Sequence, residues 1–185
     1  MIAGMPQVIV FLRAVNVAGR FVKMADLRHT LEEAGFTGVE SHIQSGNLLL
    51  RSRQRTTSAV ASRVSTVLSQ WAGFEIPAIV RTPTELNALV KRVEGIPPLL
   101  EPGGRRYLAF ADRAIAGPAR EVLDGWDNSG ERARVLDQDV LAELTIDFHR
   151  TRLTNARIER ITGAVTTWRD FKVVREIAER WGETQ

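Results

Sequence analysis

Residues 39–50 read VESHIQSGNLLL, and this stretch decides the fold of the first half of the chain. From Val39 to Gln44, apolar and polar side chains alternate, which predicts a strand with one solvated face. Ser45-Gly46-Asn47 is a turn signal, and the three leucines that follow begin a return strand. The stretch therefore predicts two strands joined by a short turn.

The segments around this stretch complete a recognisable order of elements. Residues 8–12 form an apolar, β-rich run before it, and residues 75–81 form another strand after it. Apolar residues at helical spacing predict helices over 24–34 and 60–71. The order β-α-β-β-α-β is that of a ferredoxin-like plait, which places the first and third strands at the centre of the sheet. Those two strands are the most continuously apolar.

The second half of the chain predicts a similar but incomplete pattern. A helix begins near Pro83, and a Pro/Gly-rich segment at 96–104 marks a boundary. Beyond it we expect the order β-α-β-β-α-α, in which a helix replaces the last strand. The predicted fold class is α+β, with two ferredoxin-like (α/β plait) halves and predominantly antiparallel sheets. The predicted domains are residues 1–95, with the helix after the first plait, and residues 96–185, with the C-terminal helices. The predicted elements of the second half are strands 106–111, 132–136 and 140–146 and helices 118–126, 153–161 and 171–181.

Composition excludes several classes of protein. The 185 residues include no cysteine, so disulfides and thiolate metal sites are impossible. The net charge of +3 is small, and the start of the chain lacks the basic and apolar regions of a signal peptide. No apolar run approaches the length of a bilayer span. We therefore expect a cytoplasmic protein with no membrane partner.

Most sequence signatures of catalysis are missing. The chain has no GxxxxGK[ST], GxGxxG, GxSxG or HExxH motif, and its three histidines lie in distant segments. We predict no metal site and no cofactor, and these residues leave open whether the protein is an enzyme. The third strand carries leucines where RNA-binding plaits carry stacking aromatic residues.

Two polar segments of the first half are the candidate site. Strands one and two of a plait run in the same direction, so the segments that follow them emerge at one end of the sheet. The helix that begins near Lys23 adds unpaired N–H groups, which favour an anion. The same residues also fit an ordinary turn, a flexible loop and solvent-facing charges. The candidate ligand-binding residues are Arg13, Asn16, Gly19, Lys23, Gln44, Ser45, Gly46 and Asn47, with Arg20 beside them.

Several of these segments resemble a known family. The chain is similar to the bacterial family known as domain of unknown function 1697, whose pattern includes L-R-G-I-N-V-G-G, K-M-x-x-L and Q-S-G-N. The resemblance implies a cytosolic bacterial protein and favours the two polar segments as a site, but it implies no particular activity. The segments that carry it are FLRAVNVAG (11–19), VKMADL (22–27), GF (35–36), IQSGN (43–47), TRLTN (151–155) and TWRDF (167–171).

The chain departs from the family pattern at a few positions. Ala14 and Ala18 stand where the pattern has glycine, so the first loop is less permissive of positive φ. Asp170 replaces an asparagine and Phe171 a tryptophan. The added negative charge of Asp170 weakens the case for an anion site in that segment.

Two other functions remain open. Residues 149–180 hold eight Lys and Arg residues, which could bind nucleic acid without sequence specificity, together with Arg51, Arg53 and Arg55. We expect any such binding to be weak and salt-sensitive. A structural or partner-binding module is the third hypothesis, and the sequence predicts no oligomeric state. The secondary basic residues are Arg152, Arg169 and Lys172.

Overall fold

The computed structural model describes residues 4–16, 19 and 21–182. The chain forms two compact units. The first unit contains the chain through Leu86 and regains it from Glu179 onward, and the second unit is Asn87–Ala178. The predicted division into residues 1–95 and 96–185 stays a prediction.

The first unit is a complete plait. Its four strands form one antiparallel sheet in the order β2-β3-β1-β4, so the first and third strands are central, as predicted. The predicted α+β class with antiparallel sheets is thereby confirmed. The strands are β1 (Gln7–Leu12), β2 (Thr37–His42), β3 (Asn47–Arg51) and β4 (Ala78–Arg81).

Two helices cover one face of this sheet. Helix α1 (Met24–Glu33) buries Met24, Leu27 and Leu31, which recur at helical spacing. Helix α2 (Thr57–Ala72) begins where the Thr56 side chain accepts the N–H of Ala59, and it ends at Gly73, whose φ is +74°. The two helices pack on the same face of the central strands as Val8, Val10, Leu48 and Leu50.

The second unit contains a second antiparallel sheet, in the order β6-β7-β8-β5-β9. Without the short edge strand β6, this order repeats that of the first plait. Helices α3 (Pro83–Glu94) and α6 (Phe171–Trp181) join the two units along the chain. The other elements are β5 (Arg105–Ala111), α4 (Gly117–Asp124), β6 (Asp127–Asn128), β7 (Glu131–Leu136), β8 (Asp139–Leu144), a 3₁₀ turn at Phe148–Arg150, α5 (Asn155–Thr162) and β9 (Thr166–Asp170).

The prediction that a helix replaces the last strand of the second half is wrong, because Thr166–Asp170 form strand β9. Thr166, Thr167 and Trp168 favour a strand, but Arg169 and Asp170 follow at once and α6 begins without an intervening turn. The strand is nevertheless fixed by pairing with β5 along its whole length. The second unit is therefore a complete plait with one additional edge strand.

The last turn of α6 returns to the edge strand of the first sheet. The indole Nε1 of Trp181 donates to Glu40 Oε2 at 3.2 Å, and its ring meets that of His42 edge-on at 6.1 Å between centroids. Arg180 also approaches Glu40, at 3.4 Å.

No helix in the described ranges is long and apolar enough to cross a bilayer.

Candidate functional site

The structure brings together the two polar segments singled out in the sequence. We call them the rim: the segment that follows β1, residues 13–23, and the turn before β3, residues 43–47. The Leu12 N–H donates to Gly46 O at 2.8 Å, and Asn16 Nδ2 donates to Gln44 O at 2.7 Å. Strands β1 and β2 are both antiparallel to β3, so their carboxyl ends lie at the same end of the sheet.

Asn16 holds the two segments of the rim to each other. While its amide nitrogen binds the Gln44 carbonyl, its Oδ1 accepts the Val22 N–H at 2.8 Å. Both ends of the amide therefore hold backbone in place, and α1 begins from a fixed position. Asn16 is predicted to contact a ligand, and this stays a prediction; because its contacts here hold backbone, we call it a frame residue of the rim.

Gly46 and Asn47 also belong to the frame. A Cβ on Gly46 would lie 2.8 Å from Leu12 Cβ, and its φ is +73°, so the turn can approach β1 this closely only with glycine. Asn47 was expected to orient a ligand, but it is fully buried. Its Nδ2 donates to His42 O at 3.2 Å and to Ser45 Oγ at 2.9 Å, which closes the turn.

The rim contains unusual backbone conformations. Among the described residues, four that are not glycine have positive φ, and three of them lie in the rim: Ala14 (+59°), Asn16 (+57°) and Ile43 (+52°). Asparagine tolerates this conformation, but a β-branched isoleucine rarely adopts it. Ile43 is also 49% exposed, so burial of its side chain does not explain the conformation. The alanine at a position where the family pattern has glycine was the one signal of this strain in the sequence.

The other predicted site residues of the rim are at least partly exposed. Lys23, Gln44 and Gly19 are exposed, and Arg13 and Ser45 are half-buried. The backbone N–H of Arg13 donates to Pro77 O at 2.9 Å, which fixes where its side chain leaves the sheet. Arg20 and Ala18 lie outside the described residues.

The first turn of α1 lies beside the accessible residues of the rim. Lys23 occupies the N-cap position and makes no capping hydrogen bond with its side chain, so that side chain gives the first N–H groups of the helix no acceptor. Asp26 lies in the same turn and supplies a negative charge. The N-terminus of α1 thus offers donors to an anion, in competition with one carboxylate.

The secondary basic residues are not all on the surface. Arg152 and Lys172 are exposed, whereas Arg169 is buried in β9. Its Nη1 donates to Thr167 Oγ1 at 2.9 Å and to Trp168 O at 2.7 Å, and burial lowers its pKa to about 10. Arg169 therefore serves the interior of the second unit, and binding of nucleic acid through this segment stays a prediction.

Within the described ranges, no three His, Asp or Glu side chains lie close enough together to hold a metal ion. The rim presents cations, amides and backbone donors, with the carboxylate of Asp26 in the adjoining first turn of α1.

Comparison with known proteins places the chain in a group without an assigned activity. A family model described as "Protein of unknown function (DUF1697)" matches residues 5–140. Among solved structures, the conserved bacterial protein SP0830 from Streptococcus pneumoniae is 18% identical and has a TM-score of 0.71. The alignment covers 97% of this chain and 99% of that one, and at this identity it shows a common fold. No curated protein matches the chain.

Proposed function

This chain belongs to the family described as "Protein of unknown function (DUF1697)", and from that premise we propose that the rim binds a small anionic or polar ligand. Arg13 and Lys23 supply positive charge, and Gln44 and Ser45 supply polar contacts. Asn16 and Asn47 act one step further back, because their amides hold the two segments in position. The proposal assigns no reaction.

The backbone strain of the rim carries this proposal. Ala14 and Ile43 occupy a conformation that costs about 1–2 kcal/mol per residue for a side chain with a Cβ. Such strain persists where the surrounding structure enforces it, and it concentrates at binding and catalytic sites. Hydrogen bonds from Leu12 and Asn16 to the turn enforce it here.

The chemistry of the accessible groups selects the ligand class. A guanidinium group binds carboxylate or phosphate with two parallel hydrogen bonds, and an ammonium group adds a point charge. The uncapped first turn of α1 adds backbone donors to the same rim. A small phosphate or carboxylate compound therefore fits better than a cation.

The test is a titration of the protein with inorganic phosphate and with citrate, followed by amide chemical shifts. We expect shifts to concentrate in residues 13–23 and 43–47. Arg13→Ala should weaken binding about tenfold or more, because it removes a charge-assisted contact, while the melting temperature changes little.

Arg55→Ala is the matched control, because Arg55 is exposed and follows the opposite end of β3 from the turn. It removes the same charge from the same unit and should leave binding almost unchanged. Equal losses in both variants would show a general charge effect. A large drop in melting temperature for Arg13→Ala would instead identify Arg13 as a scaffold residue.

A further inference from the structure

The second unit contains a cleft that is independent of the rim. Its volume is about 440 Å³, which lies within the range of small-molecule sites. The cleft lies where β5 begins and where the chain leaves β8 and enters the 3₁₀ turn. Its lining residues are Arg105, Tyr107, Ile146, Asp147, Phe148 and His149.

Two aromatic side chains, Tyr107 and Phe148, line the cleft beside the polar side chains of Arg105, Asp147 and His149. Phe148 stacks on Tyr107 with 4.7 Å between centroids and 30° between planes. Trp168 and His149 meet Phe148 edge-on, at 5.9 and 6.2 Å. Tyr107 is buried while Phe148 remains partly exposed and His149 exposed. Phe148 thus packs against its neighbours, lines the cleft and remains partly exposed, which are requirements for stacking with a planar ligand.

The charges of the cleft do not suit an anion. Arg105 Nε donates to Asp170 Oδ2 at 2.7 Å, and its guanidinium lies 5.6 Å from the centre of the Tyr107 ring. The positive charge is therefore balanced within the protein. Asp147 adds an exposed carboxylate whose Oδ1 accepts the His149 N–H at 3.0 Å.

The phenol of Tyr107 remains a hydrogen-bond donor. Burial raises its pKa, and the carboxylates of Asp170 and Asp147 act in the same direction, against the opposing effect of Arg105. The cleft thus combines an aromatic wall, a neutral phenol and a carboxylate acceptor. That set recognises an uncharged planar ring that carries N–H donors.

We infer that this cleft binds a heteroaromatic ring of the nucleobase class, stacked against Phe148, with Asp147 accepting hydrogen bonds from ring N–H groups. The ring can come from a free nucleoside or from an unpaired base of single-stranded RNA. Guanine fits the acceptor best, because it presents two adjacent N–H donors that one carboxylate can accept.

Calorimetric titration with guanosine tests the inference, with ribose as the probe that lacks a ring and 1-methylguanosine as the probe that lacks one donor. We expect saturable binding of guanosine, no binding of ribose, and weaker binding of 1-methylguanosine. Phe148→Leu should weaken guanosine binding about tenfold, within the range expected for loss of one stacked base. Phe148→Tyr keeps a ring and should retain binding.

Two further variants sharpen the result. Asp147→Asn should reduce the difference between guanosine and 1-methylguanosine, because the carboxylate acceptor is gone. Phe74→Leu, a partly exposed aromatic position in the first unit, is the matched control and should have no effect. Guanosine affinity that is the same in Phe148→Leu as in the parent protein would overturn the inference, as would equal binding of ribose and guanosine.

A short single-stranded RNA rich in guanosine distinguishes the two sources of the ring. Tighter binding than guanosine, with steep salt dependence, identifies a base within a strand, because only the strand adds phosphates. Equal affinity per base identifies the free nucleoside. Either result supports ring recognition, and failure of both probes to bind overturns it.

Discussion

The turn between the second and third strands has four residues in the first plait, Ile43 to Gly46, but only two in the second, Asp137 and Gln138. In both plaits a backbone carbonyl of this turn accepts an N–H from the chain at or after the end of the first strand. These bonds are Leu12 N–H to Gly46 O at 2.8 Å and Ile115 N–H to Asp137 O at 2.9 Å. The longer turn requires glycine and strained backbone, whereas the shorter one has positive φ at Asp137 alone.

The buried polar groups differ in the same way. The third strand begins with a neutral Asn47 in the first plait and with Asp139 in the second. The hairpin of the second plait buries two further carboxylates, Glu131 and Glu143, whereas the hairpin of the first buries no charge among the described residues. The comparison teaches that one topology can be fixed by backbone conformation or by buried charge.

Both plaits nevertheless share a buried arginine on the fourth strand. Arg81 pairs with Ile9, and Arg169 pairs with Leu108 at the corresponding position of the first strand. The two halves lack convincing sequence identity, so the shared buried arginine becomes apparent only from the register of the paired strands.

The largest effect on stability is expected for a substitution in the turn before β3 of the first plait. Gly46→Ala places a Cβ 2.8 Å from Leu12 Cβ in a left-handed conformation. We expect the free energy of unfolding to fall by about 2–5 kcal/mol, from conformational strain and from overpacking together. Urea denaturation measures the loss.

Gly19→Ala is the matched control for this variant. Gly19 also has positive φ, +82°, but a Cβ there meets no atom within 4 Å. Its cost should be about 1 kcal/mol, from backbone conformation alone. Similar losses for both glycines would mean that close approach to β1 does not decide the turn.

The second prediction tests buried charge in the second plait. Glu143 Oε2 accepts from Arg106 Nε at 2.9 Å, and Oε1 accepts the Gly104 and Leu100 N–H groups at 3.0 and 3.2 Å. Burial acts to raise the pKa of Glu143, but these hydrogen bonds outweigh burial and lower it. Glu143→Gln should therefore cost about 3 kcal/mol near neutral pH, because it leaves Arg106 without its counter-charge.

The sign of the pH dependence follows from that lowered pKa. The folded state favours the ionised carboxylate, so its contribution is complete above the ordinary value of 4.5 and is lost as the pH falls through the folded pKa. The stability of the parent protein and that of Glu143→Gln should converge on acidification. A constant difference between pH 7 and pH 3 would contradict this account.

The smallest expected effect concerns strain in the rim. Ala14→Gly should raise the free energy of unfolding by about 0.5–1 kcal/mol, because relief of the left-handed conformation exceeds the entropy that glycine adds to the unfolded chain. Ala88→Gly, at an exposed position inside α3, should lower stability by about 1 kcal/mol. Opposite signs for the two variants would locate the strain at Ala14, and equal signs would count against it.

Local patterns were sufficient to predict the first plait. Alternation over 39–44, the Ser45-Gly46-Asn47 turn and the apolar runs of β1 and β3 determined both element order and sheet order. Strand β9 was missed because pairing with β5, a contact distant in sequence, overrides its charged end. The burial of Arg169 was also not predicted, because a guanidinium is expected at the surface unless the fold provides partners.

The candidate site was predictable in position but not in detail. Plait topology alone brings residues 13–23 and 43–47 to one edge of the sheet. The separate roles of the rim residues depend on side-chain geometry that spacing cannot show. Asn16 and Asn47 hold the backbone of the rim, and their predicted contact with a ligand stays a prediction. The cleft beside Phe148 gave no motif, because its rings come from three separate segments.

The return of Trp181 to Glu40 has a consequence for synthesis of the protein. Strand β2, at the edge of the first sheet, is made early, but the side chain that bonds its Glu40 lies about 140 residues later in the chain. A ribosome that adds about 5–20 residues per second needs roughly 7–28 seconds to cover that interval. Throughout it, Glu40 at the edge of the nascent first plait lacks the two side chains that contact it in the finished fold, those of Arg180 and Trp181.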